Sequence, residues 1–332
     1  MNLLVTGGTG FFGRALIRHL DAERITHGKL PFSQITILSR DPARFRSMYP
    51  QLGNLPWITW HTGDVLTPDS LPKESNYEYI LHAATDSTDS ANLTPLKQFH
   101  QIVRGTENML RFASRSDTHR FLLTSSGGAY GPQPGHLTEI PENYSGMPDP
   151  LSLGNVYGIA KRQAEHLCCL YGHQYGIETV IARCFAFVGE DLPLNAHFAI
   201  GNFIRDAIGL PVITVQGDGT PLRSYLHQED LARWLLALLC HGQAGTAYNV
   251  GSDQAISIKD LAYLIRDILA PSKQVHIKGG GEGTKSDRNR YVPCINKIRT
   301  ELQLDVQILL PEAIKKTAET HQSQAHVEPS KQ

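Results

Sequence analysis

The sequence lacks the features that mark several classes of protein. None of its apolar runs reaches the roughly 18 residues that a membrane-spanning helix needs. Lys and Arg do not cluster, and the formal net charge is -1, which argues against a nucleic-acid partner. The five cysteines include no CxxC pair, and the 15 histidines form no HExxH or comparable spacing. We therefore predict neither a disulfide framework nor a metal site.

Export signals are also missing from the start of the sequence. MNLLV leads directly into a glycine-rich segment, without a basic region or a small-residue cleavage site. An odd number of cysteines fits a reducing compartment. The hydrophobic content of 41% and charged content of 19% are those of a globular chain. We expect a cytoplasmic protein without a membrane partner.

The first half of the chain alternates between strand-like and helix-like patterns. Long helical periodicities occupy QFHQIVRGTENMLRFASR and NVYGIAKRQAEHLCCLYGHQYG. The apolar runs between helical segments are NLLVTG, QITILSR, WITWHTGDV, YEYILHAAT, HRFLLTSS and ETVIARCFAFVG. This alternation predicts the α/β class, with a doubly wound parallel sheet covered by helices on both faces.

The segment TGGTGFFG joins the first predicted strand to the first predicted helix. Its glycines are Gly7, Gly10 and Gly13, and Phe11 and Phe12 begin the helix. A helix N-terminus offers unpaired N–H groups and a partial positive charge, and glycines let a pyrophosphate approach the backbone. The segment predicts a dinucleotide site, with a simple tight turn as the alternative.

Tyr157 and Lys161 form a YxxxK pattern on the second long helix. Residues four apart share one helix face, so the ammonium group is expected near the phenol. A nearby cation favours phenolate, and we predict that it lowers the pKa of Tyr157 toward working pH. Tyr157 could then exchange a proton with a carbonyl or hydroxyl group while hydride moves. The alternative is an exposed helical pair.

These motifs, with TSSGGAYG at residues 124–131, resemble the short-chain dehydrogenase/reductase superfamily in its extended, sugar-nucleotide-modifying branch. The resemblance spans most of the chain. It implies a Rossmann domain with a smaller α/β substrate domain and a nicotinamide cofactor. It places Ser126 where the family binds the substrate oxygen, and Tyr157 and Lys161 in the catalytic pair. A turn-capping role fits both Ser125 and Ser126, and either hydroxyl remains a candidate for substrate binding.

The resemblance also implies further binding residues and a homodimer. Family positions that line the cofactor correspond to Asp64, Val65, Ala83 and Ala84, and those that reach a diphosphate to Arg223, Arg288 and Arg290. A guanidinium suits a diphosphate because it donates two bonds at once; a surface ion pair is the alternative for each arginine. A nucleotide-diphosphate sugar is the implied partner, and family members commonly dimerise through the two long helices.

The division into domains follows from these motifs. We predict that residues 1–184 and about 212–250 form the dinucleotide-binding domain, and that about 185–211 and 251–318 form the substrate-binding domain. The last residues, 319–332, are predicted to be a flexible tail because QSQAHVEPSKQ is polar and aperiodic.

Departures from the family pattern narrow the expected reaction. Gly127 and Gly128 stand where the family's 4,6-dehydratases carry Asp-Glu, and Ala186 replaces the usual Asn after the sixth strand. Without that acid pair, Ser126, Tyr157 and Lys161 suffice for hydride transfer at one carbon. We predict a 4-ketoreductase acting on a nucleotide-linked 4-keto-6-deoxyhexose. The alternatives are a C4 epimerase that keeps its NAD bound, and a dinucleotide-sensing binding module.

The end of the second strand bears on the choice of cofactor. An acidic residue there usually binds the ribose 2′-hydroxyl of NAD, whereas a 2′-phosphate requires Arg and a hydroxyl. This strand ends in Ser39-Arg40, with no acid before Asp41. The pattern favours NADP(H), with NAD(H) as the alternative if Arg40 merely stacks on adenine.

Overall fold

The computed structural model describes residues 1–28, 30–73, 76–85, 93–196, 198–279 and 289–327. The strands in these residues are β1 (Asn2–Thr6), β2 (Gln34–Ser39), β3 (Ile58–Thr62), β4 (Tyr79–His82), β5 (Arg120–Ser126), β6 (Glu178–Cys184), β7 (Phe187–Val188), β8 (Val212–Val215), β9 (Leu222–Arg223), β10 (Leu226–His227), β11 (Thr246–Val250), β12 (Ile256–Ser257), β13 (Gln274–Ile277) and β14 (Arg290–Tyr291). The helices are α1 (Phe11–His27), α2 (Pro42–Met48), α3 (Pro50–Gly53), α4 (Pro95–Ala113), α5 (Val156–Tyr175), α6 (Ala199–Gly209), α7 (Gln228–His241), α8 (Ile258–Leu269), α9 (Asn296–Leu302) and α10 (Leu310–Val327).

Seven parallel strands form the central sheet in the order β11-β6-β5-β4-β1-β2-β3. The chain builds outward from β1 to β3, then returns to β4 on the other side of β1 and builds outward to β11. This confirms the predicted doubly wound α/β fold. Ligands of such sheets bind at the carboxyl ends of the strands where the order reverses, here between β1 and β4.

Two apolar layers cover the sheet because neighbouring strand residues face opposite sides. Leu3 packs with α1 and α7 in one cluster, while Leu4 packs with α4 and α5 in the other. In β5, Leu122 joins the first layer, and Phe121 and Leu123 join the second. Continuous burial of β1 and β5 follows from this double coverage. No helix within the described residues is long and apolar enough to cross a membrane.

A third apolar cluster forms the core of the smaller part of the molecule. It changes the predicted domain assignment of residues 212–215. It combines α6, α8 and α10 with β8, which pairs with β13 in a separate two-stranded sheet. Residues 212–215 therefore pack with the smaller part, whereas α7 and β11 remain with the central sheet. An apolar run such as VITV fits either sheet, because its long-range pairing partner is not visible locally.

The C-terminal helix corrects the predicted tail. Helix α10 continues to Val327, so residues 319–327 are helical rather than a flexible tail. Hydroxyls of Thr320 and Ser323 donate to carbonyl oxygens four residues earlier, at 3.2 and 2.9 Å. His321 contacts the carbonyl oxygen of Leu192 at 3.1 Å, which ties the helix to the loop after β7.

Side chains occupy the outer edge of β11, the last strand of the sheet. Asn249 N–H donates to a Glu142 carboxylate oxygen at 3.0 Å, and Ala247 O accepts from Lys297 Nζ at 2.9 Å. Residues 247 and 249 both face outward because backbone polar groups alternate between the two sides of a strand. Glu142 and Lys297 thus pair the backbone groups that another strand would otherwise bind.

Candidate active site at the carboxyl ends of the parallel strands

The predicted glycine loop packs tightly against the end of β4. Gly7 has a φ of 74°, and a Cβ at this position would collide with the backbone of Ala83. A Cβ on Gly13 would collide with the backbone of Gly8, so α1 lies directly against the loop. Glycine is required at both positions, because any side chain would push α1 and β4 away from the loop.

The N-terminus of α1 is exposed to the strand-order reversal. Gly10 is its N-cap, with no described side chain capping it and no acidic residue in the first turn. Phe12 packs edge-on against Phe187 at 5.2 Å, and Phe11 lies 6.4 Å from the same ring. Both phenylalanine side chains are thus directed to β7, and their backbone N–H groups are the parts suited to an anion.

The end of β2 carries Ser39 and Arg40, and the following Asp41 begins the next helix. Ser39 Oγ accepts from Asp41 N–H at 3.3 Å. The carboxylate of Asp41 accepts from Arg44 N–H at 2.9 Å and caps α2. Asp41 therefore acts as a helix cap.

The loop after β3 is fixed by its own polar groups. Asp64 accepts from Leu66 N–H at 2.9 Å and donates its N–H to Ser70 Oγ at 2.9 Å. Asn108 donates to Val65 O at 2.9 Å, which joins this loop to α4. Asp64 and Val65 are thus held in the loop that joins the edge strand β3 to the layer of α4, and their cofactor contacts remain a prediction.

The end of β4 is anchored to β1 through Thr6. Its hydroxyl lies 3.2 Å from the N–H groups of Ala83 and Ala84 and 2.7 Å from His82 Nδ1. The other nitrogen of His82 lies 3.3 Å from the hydroxyl of Thr106. Burial, reinforced by the charge of Lys161, lowers the pKa of His82 to about 3, so the ring is neutral.

Ser126, Tyr157 and Lys161 come together at the ends of β4 and β5. Lys161 Nζ donates to Thr124 O and to the hydroxyl of Thr85, both at 2.8 Å. The ammonium lies 5.7 Å from the centre of the Tyr157 ring. The predicted catalytic residues are therefore neighbours, with Lys161 bridging the two strands.

The pKa of Tyr157 is shifted in the direction opposite to the one predicted from the sequence. Burial raises the pKa of Tyr157, the neighbouring Tyr291 and Cys184 raise it further, and a hydrogen bond with Ser126 lowers it. The predicted lowering by Lys161 is wrong for this structure, because loss of water around the phenol dominates. Burial also lowers the pKa of Lys161 to about 8. Tyr157 is therefore protonated at neutral pH, the form that donates a proton.

Ser125 and Ser126 have different hydrogen-bond partners. Ser125 donates to Glu165 at 2.5 Å, and Glu165 is paired with Arg183 at 2.7 Å beneath α5. Ser126 Oγ accepts from Gly128 N–H at 3.0 Å and lies 3.5 Å from the Tyr291 hydroxyl. Ser125 is thus committed to a buried ion pair, which corrects its assignment to the substrate. Ser126 is the hydroxyl at the site.

A small sheet of β12, β9 and β14 brings Tyr291 to Ser126. Tyr291 of β14 pairs in register with Arg223 of β9, and Arg223 donates to the carbonyl oxygen of Leu222 at 2.8 Å. Arg290 donates to Thr138 O at 3.2 Å. Side chains paired in register share one face of a sheet, so Arg223 lies on the face of Tyr291 and Arg290 on the other. Arg288 lies outside the described residues.

Position 127 has no room for a side chain. A Cβ on Gly127 would lie 2.7 Å from both Phe185 and the Tyr291 hydroxyl. Those two rings pack against each other with centroids 4.6 Å apart. An acid at position 127, as in the 4,6-dehydratase pattern, would displace one of them.

Comparison with known proteins assigns the chain to a family. The sequence profile of the NAD dependent epimerase/dehydratase family matches residues 3–251. The chain belongs to this family. Its sequence is 29% identical over 314 residues to UDP-glucuronic acid decarboxylase 1 of Arabidopsis thaliana, covering 95% of this chain and 68% of that protein.

Solved structures share the fold. DesIV of Streptomyces venezuelae, a dTDP-glucose 4,6-dehydratase with NAD and TYD bound, superposes with a TM-score of 0.83 at 23% identity, covering 98% of each chain. RMD of Pseudomonas aeruginosa, complexed with NADPH, has a TM-score of 0.78 at 25% identity, covering 97% of this chain and 99% of that one. The epimerase/dehydratase fold therefore extends past residue 251 into the smaller part.

Tyr291 and Thr85 lie at the site but were not predicted from the sequence. Tyr291 lies on a two-residue strand, too short for a periodic pattern. Thr85 follows the HAA segment and carries no motif of its own. Both reach the site only through long-range packing, Tyr291 from the small sheet and Thr85 through Lys161.

Glu190, His227 and Glu229 form a separate cluster around the start of α7, with one potential ligand atom from each within 4.8 Å of the others. His227 Nδ1 accepts from Glu229 N–H at 3.3 Å, so the proton of the neutral ring is on Nε2. That nitrogen faces a Glu190 oxygen at 3.7 Å. In this tautomer Nε2 carries the proton and offers no lone pair to a metal, and at 3.7 Å it forms no hydrogen bond with Glu190.

Proposed function

We propose that the protein is an NADP(H)-dependent 4-ketoreductase of a nucleotide-linked 4-keto-6-deoxyhexose. The observation that carries the proposal is the convergence of Ser126, Tyr157 and Lys161 beside Gly127, which supplies no acid and where a Cβ would lie 2.7 Å from Phe185 and the Tyr291 hydroxyl. This set can move one hydride and one proton at a single carbon. It offers no carboxyl at position 127 to assist loss of water from the neighbouring carbons.

The residues have distinct parts in the reduction. The loop of Gly7, Gly10 and Gly13 at the N-terminus of α1 would hold a reduced nicotinamide dinucleotide, which would supply the hydride for the carbonyl carbon. Ser126, whose oxygen accepts from Gly128 N–H and which also contacts Tyr157 and Tyr291, would turn its proton to the carbonyl oxygen when substrate binds. Tyr157 transfers its proton to the same oxygen as the alkoxide forms. The Lys161 ammonium, held by Thr124 and Thr85, stabilises the resulting phenolate.

Contacts at two sites support the choice of NADP(H) and of a nucleotide sugar. Asp41 caps α2 instead of ending β2 as a ribose-binding acid, and Ser39 and Arg40 at the end of β2 are the residue types that suit a 2′-phosphate. Arg223 shares a sheet face with Tyr291, near Ser126, which supports it as the residue that would bind a substrate diphosphate. Relatives named for UDP-glucuronic acid and dTDP-glucose add support for a nucleotide sugar.

The test is oxidation of NADPH by purified protein with dTDP-4-keto-6-deoxyglucose, followed at the absorbance of the reduced nicotinamide. Tyr157→Phe should lower kcat by about 100- to 10,000-fold, the usual contribution of a positioned proton donor. Tyr175→Phe, at the exposed end of the same helix, is the matched control and should retain full activity. Equal rates for wild type and Tyr157→Phe would contradict the proposal.

The sequence relatives favour a second candidate, decarboxylation of UDP-glucuronate. UDP-glucuronic acid decarboxylases are among the relatives, at 27% to 29% identity. Release of CO2 from UDP-glucuronate, without NADPH consumption, would support it against the reductase. Interconversion of C4 epimers without added cofactor would instead support the epimerase alternative. Dinucleotide binding without any of these reactions would support the binding module.

A further inference from the structure

Among the described residues, Thr85 is the one whose side chain accepts a hydrogen bond from Lys161. The ammonium donates to Thr85 Oγ1 and to the carbonyl oxygen of Thr124, both at 2.8 Å. A lysine ammonium has three N–H donors, so one remains after these two bonds. The two bonds set the direction of the third N–H. It is left for the site, where the centre of the Tyr157 ring lies 5.7 Å from Nζ.

We propose that Thr85 is a positioning residue, whose hydroxyl accepts a hydrogen bond from Lys161 and thereby keeps that ammonium charged and directed into the site. In this role Thr85 acts through Lys161 and not on the substrate. The inference rests on the proposed function in one respect, because the phenolate that the ammonium stabilises forms on Tyr157 during reduction. The effect of the hydroxyl on Lys161 itself does not depend on which sugar is reduced.

The backbone that leads to Thr85 is fixed to the neighbouring strand. The hydroxyl of Thr6, in β1, lies 3.2 Å from the N–H groups of both Ala83 and Ala84. Thr85 N–H donates to Ala83 O at 2.9 Å, which turns the chain directly after β4. Threonine is branched at Cβ and has few side-chain rotamers. The acceptor of the Lys161 bond is therefore held in place before the bond forms, which reduces the entropy lost on forming it.

Burial makes the charge of Lys161 dependent on its hydrogen-bond acceptors. Lys161 is 2% exposed, and the loss of water lowers its pKa to about 8. Each hydrogen bond that the ammonium donates favours its charged form. The carbonyl oxygen of Thr124 belongs to the backbone, so the Thr85 hydroxyl is the acceptor that a substitution can remove. Its removal should lower the pKa of Lys161 further.

Other ionisable groups surround Lys161, and those with shifted pKa values titrate far from pH 8. They face it from three elements: His82 from β4, Cys184 from β6, and Tyr157, Glu165 and Cys168 from α5. Burial lowers the pKa of His82 to about 3, raises that of Cys184 to about 12, and raises those of the phenol and the other thiol. The carboxylate accepts from Ser125 and is paired with Arg183. A transition near pH 8 in this cluster therefore reports Lys161.

Two substitutions separate the hydroxyl of Thr85 from its shape. Thr85→Val keeps the branched side chain and loses the hydroxyl, whereas Thr85→Ser keeps the hydroxyl and loses a methyl group. A role in packing predicts the larger effect for Thr85→Ser. A hydrogen bond to Lys161 predicts the larger effect for Thr85→Val. Melting temperatures of both variants establish that each is folded.

The direct measurement is the pKa of Lys161, read by NMR of protein that carries carbon-13 in its lysine side chains. Lys161→Arg identifies the signal, and titration from pH 6 to pH 10 needs neither substrate nor cofactor. We expect a pKa of about 8 for wild type and for Thr85→Ser. The pKa in Thr85→Val should be lower by about one pH unit, because one hydrogen bond to the charged form is lost. A decrease of less than about half a pH unit would overturn the inference.

Reduction of dTDP-4-keto-6-deoxyglucose by NADPH provides a kinetic readout of the same change. For wild type and Thr85→Ser, kcat should decline as pH rises through about 8. For Thr85→Val the decline should begin about one pH unit lower, which makes this variant about fivefold slower than wild type at pH 8. A loss of rate that is equal at every pH, with no shift of the decline, would contradict the role of Thr85.

The two measurements distinguish failure of the proposed function from failure of this inference. If wild type reduces no sugar but the pKa of Lys161 falls in Thr85→Val, the proposed function fails and the hydrogen bond keeps its assigned effect. If wild type is active and Thr85→Val leaves that pKa in place, the proposed function stands and Thr85 has no role through Lys161.

Discussion

Lys161 Nζ lies 2.8 Å from the carbonyl oxygen of Thr124, two residues before Ser126 on the same strand. Its second partner, Thr85, follows β4. The ammonium is therefore fixed relative to both central strands that end at the site. Because it is buried, its protonation depends on pH in a range where most lysines remain charged.

The first prediction is a loss of reduction rate as pH rises through about 8, the lowered pKa of Lys161. Below that pH the ammonium stabilises the phenolate that forms on Tyr157, and above it the stabilisation disappears. Measurement of kcat between pH 6 and 10 checks this. Lys161→Arg, which stays charged, should be slower but lack the decline near pH 8. A wild-type rate that is constant to pH 9.5 would contradict the assignment.

A pair of alanine variants tests the glycine loop. Gly7→Ala should destabilise the protein by about 1–3 kcal/mol, because φ is 74° and the new Cβ meets the backbone of Ala83. Gly10→Ala is the control, since its Cβ has Gly7 O at 3.5 Å as its nearest neighbour. Its stability should stay within about 0.5 kcal/mol of wild type. Urea unfolding without dinucleotide measures both, and equal stabilities would refute the close-packing argument.

Cofactor preference should depend on Arg40. If it binds a 2′-phosphate, Arg40→Ala removes a hydrogen bond to a charged group, worth about 1.5–3 kcal/mol. The ratio of kcat/KM for NADPH to that for NADH should then fall by roughly 10- to 100-fold. Arg44→Ala, one turn into the neighbouring α2, is the matched control and should leave the ratio unchanged. An unaltered ratio in Arg40→Ala would favour NAD(H).

His82 should make the fold sensitive to acid. Its pKa is about 3 in the folded protein and 6.5 as its ordinary value, so the unfolded chain binds one more proton between those limits. Stability is full above about pH 6.5 and falls by up to about 1.4 kcal/mol per pH unit as pH drops toward 3. Urea unfolding from pH 7 to 4 should show a shallower decline for His82→Asn, which cannot be protonated. Parallel declines would show that other groups dominate.

The central sheet and the catalytic pair were predictable because their signals are local. β1, the glycine loop and α1 are consecutive, and Tyr157 and Lys161 are one helical turn apart. The pKa of Tyr157 and the roles of the two serines depend on burial, which local sequence patterns do not record. The sequence predicted a lowered pKa for Tyr157, but the pKa depends on the water excluded by packing, which no spacing records. Likewise, Ser125 and Ser126 are equivalent in sequence and differ only once Glu165 lies next to one of them.

Long-range pairing accounts for the remaining differences. The run ETVIARCFAFVG was predicted as one strand, but the structure divides it into β6 and β7, because β7 leaves the main sheet to pair with β10. VITV of β8 joins a sheet whose other strand lies about sixty residues later. β14 and Tyr291 were missed because two residues carry no periodicity.

The side chains along β11 have a consequence for how the protein meets other copies of itself. An unpaired edge strand is a template on which a second molecule can extend the sheet, which leads to aggregation. Glu142 and Lys297 already bind the outward N–H and C=O groups of Asn249 and Ala247. At this end of the sheet, association by added strands would require breaking those bonds. A homodimer, which remains a prediction, is therefore expected to form between helices rather than by strand addition at β11.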